Sequence, residues 1–185
     1  MKIENLSKRF GKKVVFDDYT TEILDNKINY LVGPSGSGKT TLLRILSGLD
    51  KDFNGSIDSN LQKISIVFQE PRLFPNLTIE ENIRIVSESE DSIDEILKIV
   101  ELENDAKLLP KELSGGMKMR VALARALFYD GDIFIMDEPF SALDDELKER
   151  MIPKIFKLLK NKTILIVSHD LNEVKKYGEH IIEIN

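Results

Sequence analysis

The sequence predicts an α/β fold built on a mainly parallel core sheet. Four short apolar runs, rich in β-branched residues, alternate with helical patterns, and runs this apolar are typical of strands buried on both faces. The runs are Ile28–Val32, Ile64–Phe68, Ile133–Met136 and Thr163–Val167. The helix candidates are Lys39–Ser47, Ser114–Phe128, Asp144–Leu159 and Asp170–Tyr177. Strands that alternate with helices in this way predict a parallel sheet covered by helices.

Two regions depart from that alternation. Residues up to about Ile23, together with Gly55–Ile57, have the pattern of shorter antiparallel strands set beside the main sheet. The segment from about 71 to 109 contains no strand-like run but two helix candidates, Thr78–Val86 and Asp91–Val100. We therefore expect an antiparallel β subdomain and an inserted helical subdomain, the latter over about residues 71–125.

Local signals mark some element ends. Thr78 followed three residues later by Glu81 predicts a capping box at a helix start. Pro153 lies inside a helix candidate and is expected to kink or shorten it, because proline lacks the amide hydrogen that a helix interior needs. The last strand candidate is residues 180–184.

Length and composition limit the function classes. A chain of 185 residues suits one domain, residues 1–185, with a small inserted lobe. The formal net charge of -6 gives no general attraction to nucleic acid or anionic lipid. The absence of cysteine excludes disulfides and thiolate metal sites. With no signal-peptide pattern and no long apolar run, we expect a soluble protein that contacts a membrane only through partners.

A glycine-rich segment predicts a phosphate-binding loop. Residues 33–40, GPSGSGKT, fit G-x-x-x-x-G-K-S/T between a buried strand and a helix, which is the context that the motif requires. Backbone amides and the helix N-terminus would hold phosphate oxygens, Lys39 would reach the β- and γ-phosphates, and Thr40 would ligate Mg²⁺. The predicted nucleotide-binding residues here are Gly33, Pro34, Ser35, Gly36, Ser37, Gly38, Lys39, Thr40 and Thr41.

Two carboxylates follow a later buried strand. Asp137 and Glu138 come directly after Ile133–Met136, where a buried sheet opens to solvent. Carboxylates at the ends of parallel strands commonly serve ligands. Asp137 suits holding Mg²⁺, directly or through water, and Glu138 suits polarising an attacking water. A polar turn with the aspartate as a helix cap is the alternative.

Five motifs occur in one order along almost the whole chain. They are the phosphate loop, LSGGM at Leu113–Met117, IFIMDEP at Ile133–Pro139, SALD at Ser141–Asp144 and SHD at Ser168–Asp170. In this order they resemble the ATP-binding cassette (ABC) ATPases. The resemblance implies a P-loop NTPase fold, ATPase activity, and the use of ATP and Mg²⁺.

The resemblance also implies roles for single residues. Gln69 looks like the glutamine that senses Mg²⁺ and the γ-phosphate, and His169 looks like the switch histidine that contacts the γ-phosphate. Phe10 is similar to the aromatic that stacks on adenine, with Phe16 as the alternative. The implied catalytic set is Glu138, His169, Lys39 and Gln69. The implied metal set is Thr40, Gln69 and Asp137.

Two adjacent glycines start the helix candidate of LSGGM, although glycine is a weak helix former. In the family Ser114, Gly115 and Gly116 offer a hydroxyl and bare amides to the γ-phosphate of ATP on another subunit. The resemblance thus implies a head-to-tail homodimer, or a pair of ABC ATPases, in which Asp144 links the two sites or simply caps its helix. The apolar stripe behind the glycines is expected to pack against the helical subdomain; it comprises Met117, Val121, Ala124 and Phe128.

Chains of this size in the family commonly drive transmembrane permease subunits, at the inner face of the cell membrane. Leu73, Phe74 and Leu77 are candidate residues of the groove that receives the permease, and lobe packing is the alternative for each. Met117 and Met119 stand where polar residues are frequent in the family. LSGGM with FQEPRLFP resembles the nitrate, sulfonate and taurine uptake subgroup, and exporters share most of these residues.

Other readings fit less of the chain. A P-loop GTPase or small-molecule kinase is disfavoured, because both Asn-Lys pairs, at Asn26 and Asn161, lack the aspartate of a guanine-recognition element. ATPases that act on DNA ends or chromosomes carry a long coiled coil for which Thr40 and Ser114 lie too close in sequence. A regulatory module without turnover would not need Glu138, Lys39 and His169.

Overall fold

The computed structural model describes residues 1–58, 63–87 and 92–184, which divide into two compact units. The first unit comprises the described parts of Met1–Ile64, Asp132–Asp137 and Asn161–Asn185, and the second comprises those of Ser65–Gly131 and Glu138–Lys160. In chain order the elements are β1 (Lys2–Phe10), β2 (Lys13–Glu22), β3 (Ile28–Val32), α1 (Lys39–Leu46), β4 (Asn54–Asp58), β5 (Ile64–Val67), α2 (Ile79–Arg84), α3 (Asp94–Ile99), α4 (Gly115–Tyr129), β6 (Ile133–Asp137), α5 (Asp145–Leu158), β7 (Thr163–Val167), α6 (Leu171–Tyr177) and β8 (His180–Glu183).

The first unit contains a parallel sheet with its strands in the order β6-β7-β3-β8. Every residue of β6 and β7 is buried, as expected for strands covered on both faces. Val167, the last residue of β7, pairs with Asp137 of β6 on one side and with Leu31 of β3 on the other. The carboxyl ends of β3, β6 and β7 therefore lie at one edge of the sheet, which brings the segments that follow them together.

The same unit contains an antiparallel sheet with the strand order β2-β1-β4. The predicted antiparallel strands are confirmed, although β1 and β2 have nine and ten residues rather than being short. Several β-bulges interrupt the β1–β2 pairing, and bulges turn side chains away from regular alternation.

The second unit is largely helical. Thr78 caps α2 through the predicted capping box with Glu81, and the packing of α4 against α2 and α3 forms its centre. The first residue of the second helix candidate, Asp91, lies outside the described residues, and the observed helix begins at Asp94. The expectation that Pro153 shortens its helix is wrong, because α5 continues for five residues beyond it to Leu158.

Candidate functional site

The phosphate loop connects β3 to α1 at the carboxyl edge of the parallel sheet. Lys39 is buried, and its Nζ donates hydrogen bonds to the carbonyl oxygens of Gly33 at 2.7 Å and Pro34 at 2.8 Å. No side chain caps the N-terminus of α1, where Gly38 stands at a φ of 107°. The first amides of a helix have no partner within it, so this end of α1 can bind an anion.

Two loop glycines are required by packing within the unit. A Cβ on Gly38 would lie 2.7 Å from Cγ1 of Val15 and 2.9 Å from the Phe16 ring, and a Cβ on Gly33 would collide with the carbonyl oxygen of Ile184. Gly36 differs, because a Cβ there would meet nothing and only its φ of 79° favours glycine. Ser37 Oγ is buried without a hydrogen-bond partner in the structure, which marks the loop as a place where a polar ligand fits.

Asp137 and Thr40 form a contact that suits a divalent cation. The Thr40 hydroxyl donates to Asp137 Oδ2 at 3.2 Å, at the start of α1 and the end of β6. Burial raises the pKa of the Asp137 carboxyl, while Thr40, Lys39 and His169 oppose that shift. Across residues 1–58, 63–87 and 92–184 no group of three His, Asp or Glu side chains could hold a metal. A hydroxyl and one carboxylate are the donors that Mg²⁺ uses beside substrate phosphates, so the pair fits this ion.

Glu138 follows Asp137 in a strained backbone conformation. Its φ is 52°, in the left-handed region, which non-glycine residues seldom adopt and which recurs at functional sites. Both the amide and the hydroxyl of Ser141 donate to the Glu138 carbonyl oxygen, at 3.3 Å and 2.9 Å. The turn of residues 138–141 therefore fixes the direction in which the Glu138 side chain leaves the backbone.

The two remaining predicted catalytic residues are exposed and follow strands. His169 comes two residues after β7 in the first unit, and its charge lowers the pKa of Asp137. Gln69 comes two residues after β5 in the second unit. Lys39, Thr40, Asp137 and His169 are thus in one unit, while Gln69 and Glu138 belong to the other.

The segment Ser114–Gly116 starts α4, as predicted. Ser114 caps the helix by accepting a hydrogen bond from the Met117 amide at 3.2 Å. A Cβ on Gly116 would lie 2.9 Å from the Ala142 carbonyl oxygen, whereas a Cβ on Gly115 would meet nothing within 4 Å. Packing within the unit therefore accounts for Gly116 and leaves Gly115 unexplained.

Comparison with known proteins decides the family. A family model described as "ABC transporter" matches residues 16–141, which include the phosphate loop, Gln69, Ser114–Gly116 and Glu138. The chain belongs to the ABC transporter family. As an ABC-type ATPase it uses ATP as substrate and Mg²⁺ as cofactor.

Relatives and solved structures cover most of this ABC chain. The aliphatic sulfonates import ATP-binding protein of Bacillus subtilis is 36% identical over 92% of this chain and 72% of that protein. A probable sulfate/thiosulfate import ATP-binding protein of Chlorella vulgaris is 38% identical over 97% and 85%. The dimeric structure of a bacterial ABC transporter cassette has a TM-score of 0.85 at 32% identity, covering 99% of this chain and 93% of that one. A post-hydrolysis state of the same cassette with ADP and phosphate has a TM-score of 0.84 at 32% identity, covering 100% and 94%.

Phe10 and Phe16 differ sharply in exposure in this ABC chain. Phe10 ends β1 and is 53% exposed, so a ring face is open to a ligand. Phe16 is buried against Gly38 and the Tyr19 ring, whose centroid lies 5.3 Å away. Of the two candidates, only Phe10 has the exposure that stacking on a nucleotide base requires.

Around α4 the expected stripe is partly wrong. Val121, Ala124 and Phe128 are buried, but Met117 is only half-buried and Met119 is buried instead. Met119 is therefore a packing residue of α4. Asp144 caps α5 by accepting from the Leu147 amide at 2.9 Å, as its alternative role predicted.

Two residues that the sequence did not single out, Asn82 and Lys8, contact candidate site residues of the ABC chain. Asn82 is fully buried in α2, where its side chain accepts from the Phe74 amide and donates to the carbonyls of Phe74, Leu77 and Thr78. Lys8 is buried next to Phe10. The sequence does carry a signal for each residue. Asn82 is a polar residue inside an apolar helical pattern, and Lys8 is two residues from Phe10 on a predicted strand.

No helix in the described part of the ABC chain is both long enough and apolar enough to cross a bilayer.

Proposed function

We propose that residues 1–185 act as a single ABC ATPase domain that hydrolyses ATP to drive small-solute import through transmembrane permease subunits. The observation that carries the ATPase assignment is the uncapped α1 N-terminus with Lys39 behind it and the Thr40–Asp137 contact beside it. The relatives are import ATP-binding proteins for sulfonates and for sulfate or thiosulfate, which supports import and favours a small oxyanion as the solute.

The first unit would hold the nucleotide. Residues Gly33–Thr41 would surround the phosphates with backbone amides, and Lys39 would exchange a loop carbonyl for a phosphate oxygen. Thr40 and Asp137 would hold Mg²⁺. Gln69 belongs to the second unit and stays a predicted ligand. When bound, Mg²⁺ supplies positive charge that stabilises negative phosphate oxygens. Phe10 would stack on the adenine base.

Glu138 would act on the attacking water. Ser141 holds the Glu138 backbone in its strained conformation, so the direction in which the side chain leaves the backbone is set before any substrate arrives. A carboxylate in that position accepts a hydrogen bond from water and increases its nucleophilicity. His169 would donate to the γ-phosphate from just beyond β7; it comes two residues after Val167, which pairs with Asp137.

The site would be completed by a second copy in head-to-tail arrangement. Gly115 supports this because its open surroundings give the chain itself no reason to keep a glycine at a helix start. A second subunit whose phosphate approaches Ser114–Gly116 supplies the reason. The dimeric cassette at 32% identity agrees with pairing of two such chains, and a paired, different ABC ATPase would serve equally.

The permease would dock on the segment of residues 73–77. Phe74 is 48% exposed, and the hydrogen bonds of Asn82 to its amide and carbonyl fix the loop that presents it. A large apolar side chain held out in this way can enter the interface of a partner. Membrane contact would occur only through the permease, which would place the protein on the cytoplasmic face of the membrane.

Replacing Glu138 by glutamine tests the catalytic assignment. Glu138→Gln keeps the size of the side chain but removes the basic oxygen, so we expect ATPase activity to fall about 100-fold or more. We also expect an ATP-dependent dimer to accumulate, seen as a mass shift in size-exclusion chromatography. The matched control is Glu103→Gln, which changes an exposed glutamate of the same unit. Equal ATPase activity of Glu138→Gln and wild type would refute the role of Glu138, and no ATP-dependent association would contradict the shared site.

A further inference from the structure

Lys8 is a buried lysine in β1. The residue is 3% exposed, and Nζ donates to Asp50 Oδ1 at 2.9 Å, to Asp52 Oδ2 at 3.3 Å and to the backbone carbonyl of Asp52. Lysine is seldom buried unless its charge is paired, and here Asp50 supplies a partner that is itself largely covered. The ammonium group is therefore held in one place by three oxygen atoms.

The same ammonium group lies against the ring of Phe10. Nζ is 4.8 Å from the ring centroid, within the range of a cation–π interaction. Lys8 and Phe10 are two residues apart on β1, and the contact itself shows that their side chains lie on the same side of the strand. Phe10 is nevertheless 53% exposed, so the contact with Lys8 leaves much of the residue open to solvent.

The contact also connects Phe10 to the helix that starts at the phosphate loop. The amides of Leu49 and Asp50 both donate to the Arg44 carbonyl at the end of α1, at 2.9 Å and 3.0 Å. Asp50 in turn accepts from Lys8. One set of hydrogen bonds therefore fixes Lys8, and through it the Phe10 ring, relative to α1.

We propose that Lys8 is a positioning residue that holds the Phe10 ring ready to stack on the adenine base of ATP. The inference rests on the proposed function, in which Phe10 stacks on the base. A ring already fixed on one face loses less side-chain freedom when a base arrives on the other, and the saved entropy appears as affinity for the base. We expect the effect to be limited to the base, because Lys8 donates its hydrogen bonds to Asp50 and Asp52, which are not among the residues that would hold phosphate.

Calorimetric binding of two probes, Mg-ATP and Mg-tripolyphosphate, separates this role from a general structural one. For Lys8→Gln we expect affinity for ATP to fall about 3- to 10-fold, with affinity for tripolyphosphate unchanged. Phe10→Ala should show the same base-selective loss, and the double variant should lose no more than Phe10→Ala alone. The matched control is Lys27→Gln, which removes an exposed lysine–glutamate pair of the same unit and should bind both probes as wild type does.

Asp50→Asn provides a second variant because Lys8→Gln leaves a largely covered carboxylate without its partner. It weakens the attachment of Lys8 while keeping the lysine, so it should show a smaller loss of the same base-selective kind. Equal loss of ATP and tripolyphosphate in folded Lys8→Gln, or no loss of ATP affinity in either variant, overturns the positioning role. If Phe10→Ala binds ATP normally, the adenine contact and the role of Lys8 both fail while the phosphate-loop assignment stands. If the wild-type protein does not bind ATP, the proposed function itself fails.

Discussion

Replacing Gly115 by alanine separates the effect of this glycine on the stability of one chain from its effect on ATP hydrolysis in the proposed dimer. The added Cβ meets no atom within 4 Å, and the residue is at the first position of α4 with a negative φ. Alanine has a better helix propensity than glycine, so the free energy of unfolding of the variant should exceed that of wild type by up to about 1 kcal/mol. For a domain of this size that is a rise of about 2–4 °C in Tm.

The same methyl group should damage ATP hydrolysis. In the proposed shared site it would stand between Ser114–Gly116 and the phosphate of ATP bound to the partner subunit, and a displacement of about 1 Å at a reacting group costs on the order of 100-fold in rate. We therefore expect Gly115→Ala to lower ATPase activity about 10- to 100-fold while raising Tm. Circular dichroism on heating and a phosphate-release assay measure the two effects.

Gly116→Ala is the matched control. Its Cβ would lie 2.9 Å from the Ala142 carbonyl oxygen, so the backbone must shift and the fold should lose stability as well as activity. Opposite changes in Tm for the two variants would confirm the packing argument. If Gly115→Ala gains stability and keeps full ATPase activity, no phosphate approaches this position and the shared site is wrong.

Two further predictions concern buried polar groups. The raised pKa of Asp137 means that the folded state disfavours the ionised carboxylate. The contribution of Asp137 to folding stability is therefore complete below the pKa of the unfolded chain, and it is lost as the pH rises through the pKa of the folded protein. Asp137→Asn should therefore have a higher Tm than wild type at pH 7, a difference that disappears near pH 3.5, and an equal difference at both pH values would refute this. Asn82→Ala removes the side-chain partner of the Phe74 amide and of the Leu77 carbonyl oxygen, while the carbonyl oxygens of Phe74 and Thr78 keep backbone donors. It should lower the free energy of unfolding by about 2–4 kcal/mol in chemical denaturation, whereas the exposed Asn76→Ala should change it by less than about 0.5 kcal/mol.

The core and the phosphate loop could be predicted because their signals are local. A strand covered on both faces must be apolar throughout, so Thr163–Val167 was recognisable as β7 with its observed ends. The loop of Gly33–Thr40 needs glycines, a lysine and a hydroxyl at fixed spacing, and that spacing is visible in the chain. Parallel pairing then requires the ends of β3, β6 and β7 to share an edge, which is why Asp137 could be expected beside Thr40.

Contacts between residues far apart in sequence could not be predicted. Nothing in the local pattern shows that Gly33 faces Ile184, that Gly116 faces Ala142, or that Met119 and not Met117 is buried. Helix α5 likewise continues past Pro153, because the loss of one amide hydrogen bond is outweighed by burial of residues such as Ile152 and Ile155.

The sequence by itself determined the family, the order of the motifs and the residue types of the predicted site, because the chemistry of phosphate and Mg²⁺ restricts which side chains can serve. Only the tertiary structure decided why Gly33, Gly38 and Gly116 are present and which phenylalanine is exposed. Those answers depend on what lies within a few ångströms of a Cβ or a ring. That neighbourhood for Gly33, Gly116 and Phe10 is supplied largely by other elements of the fold.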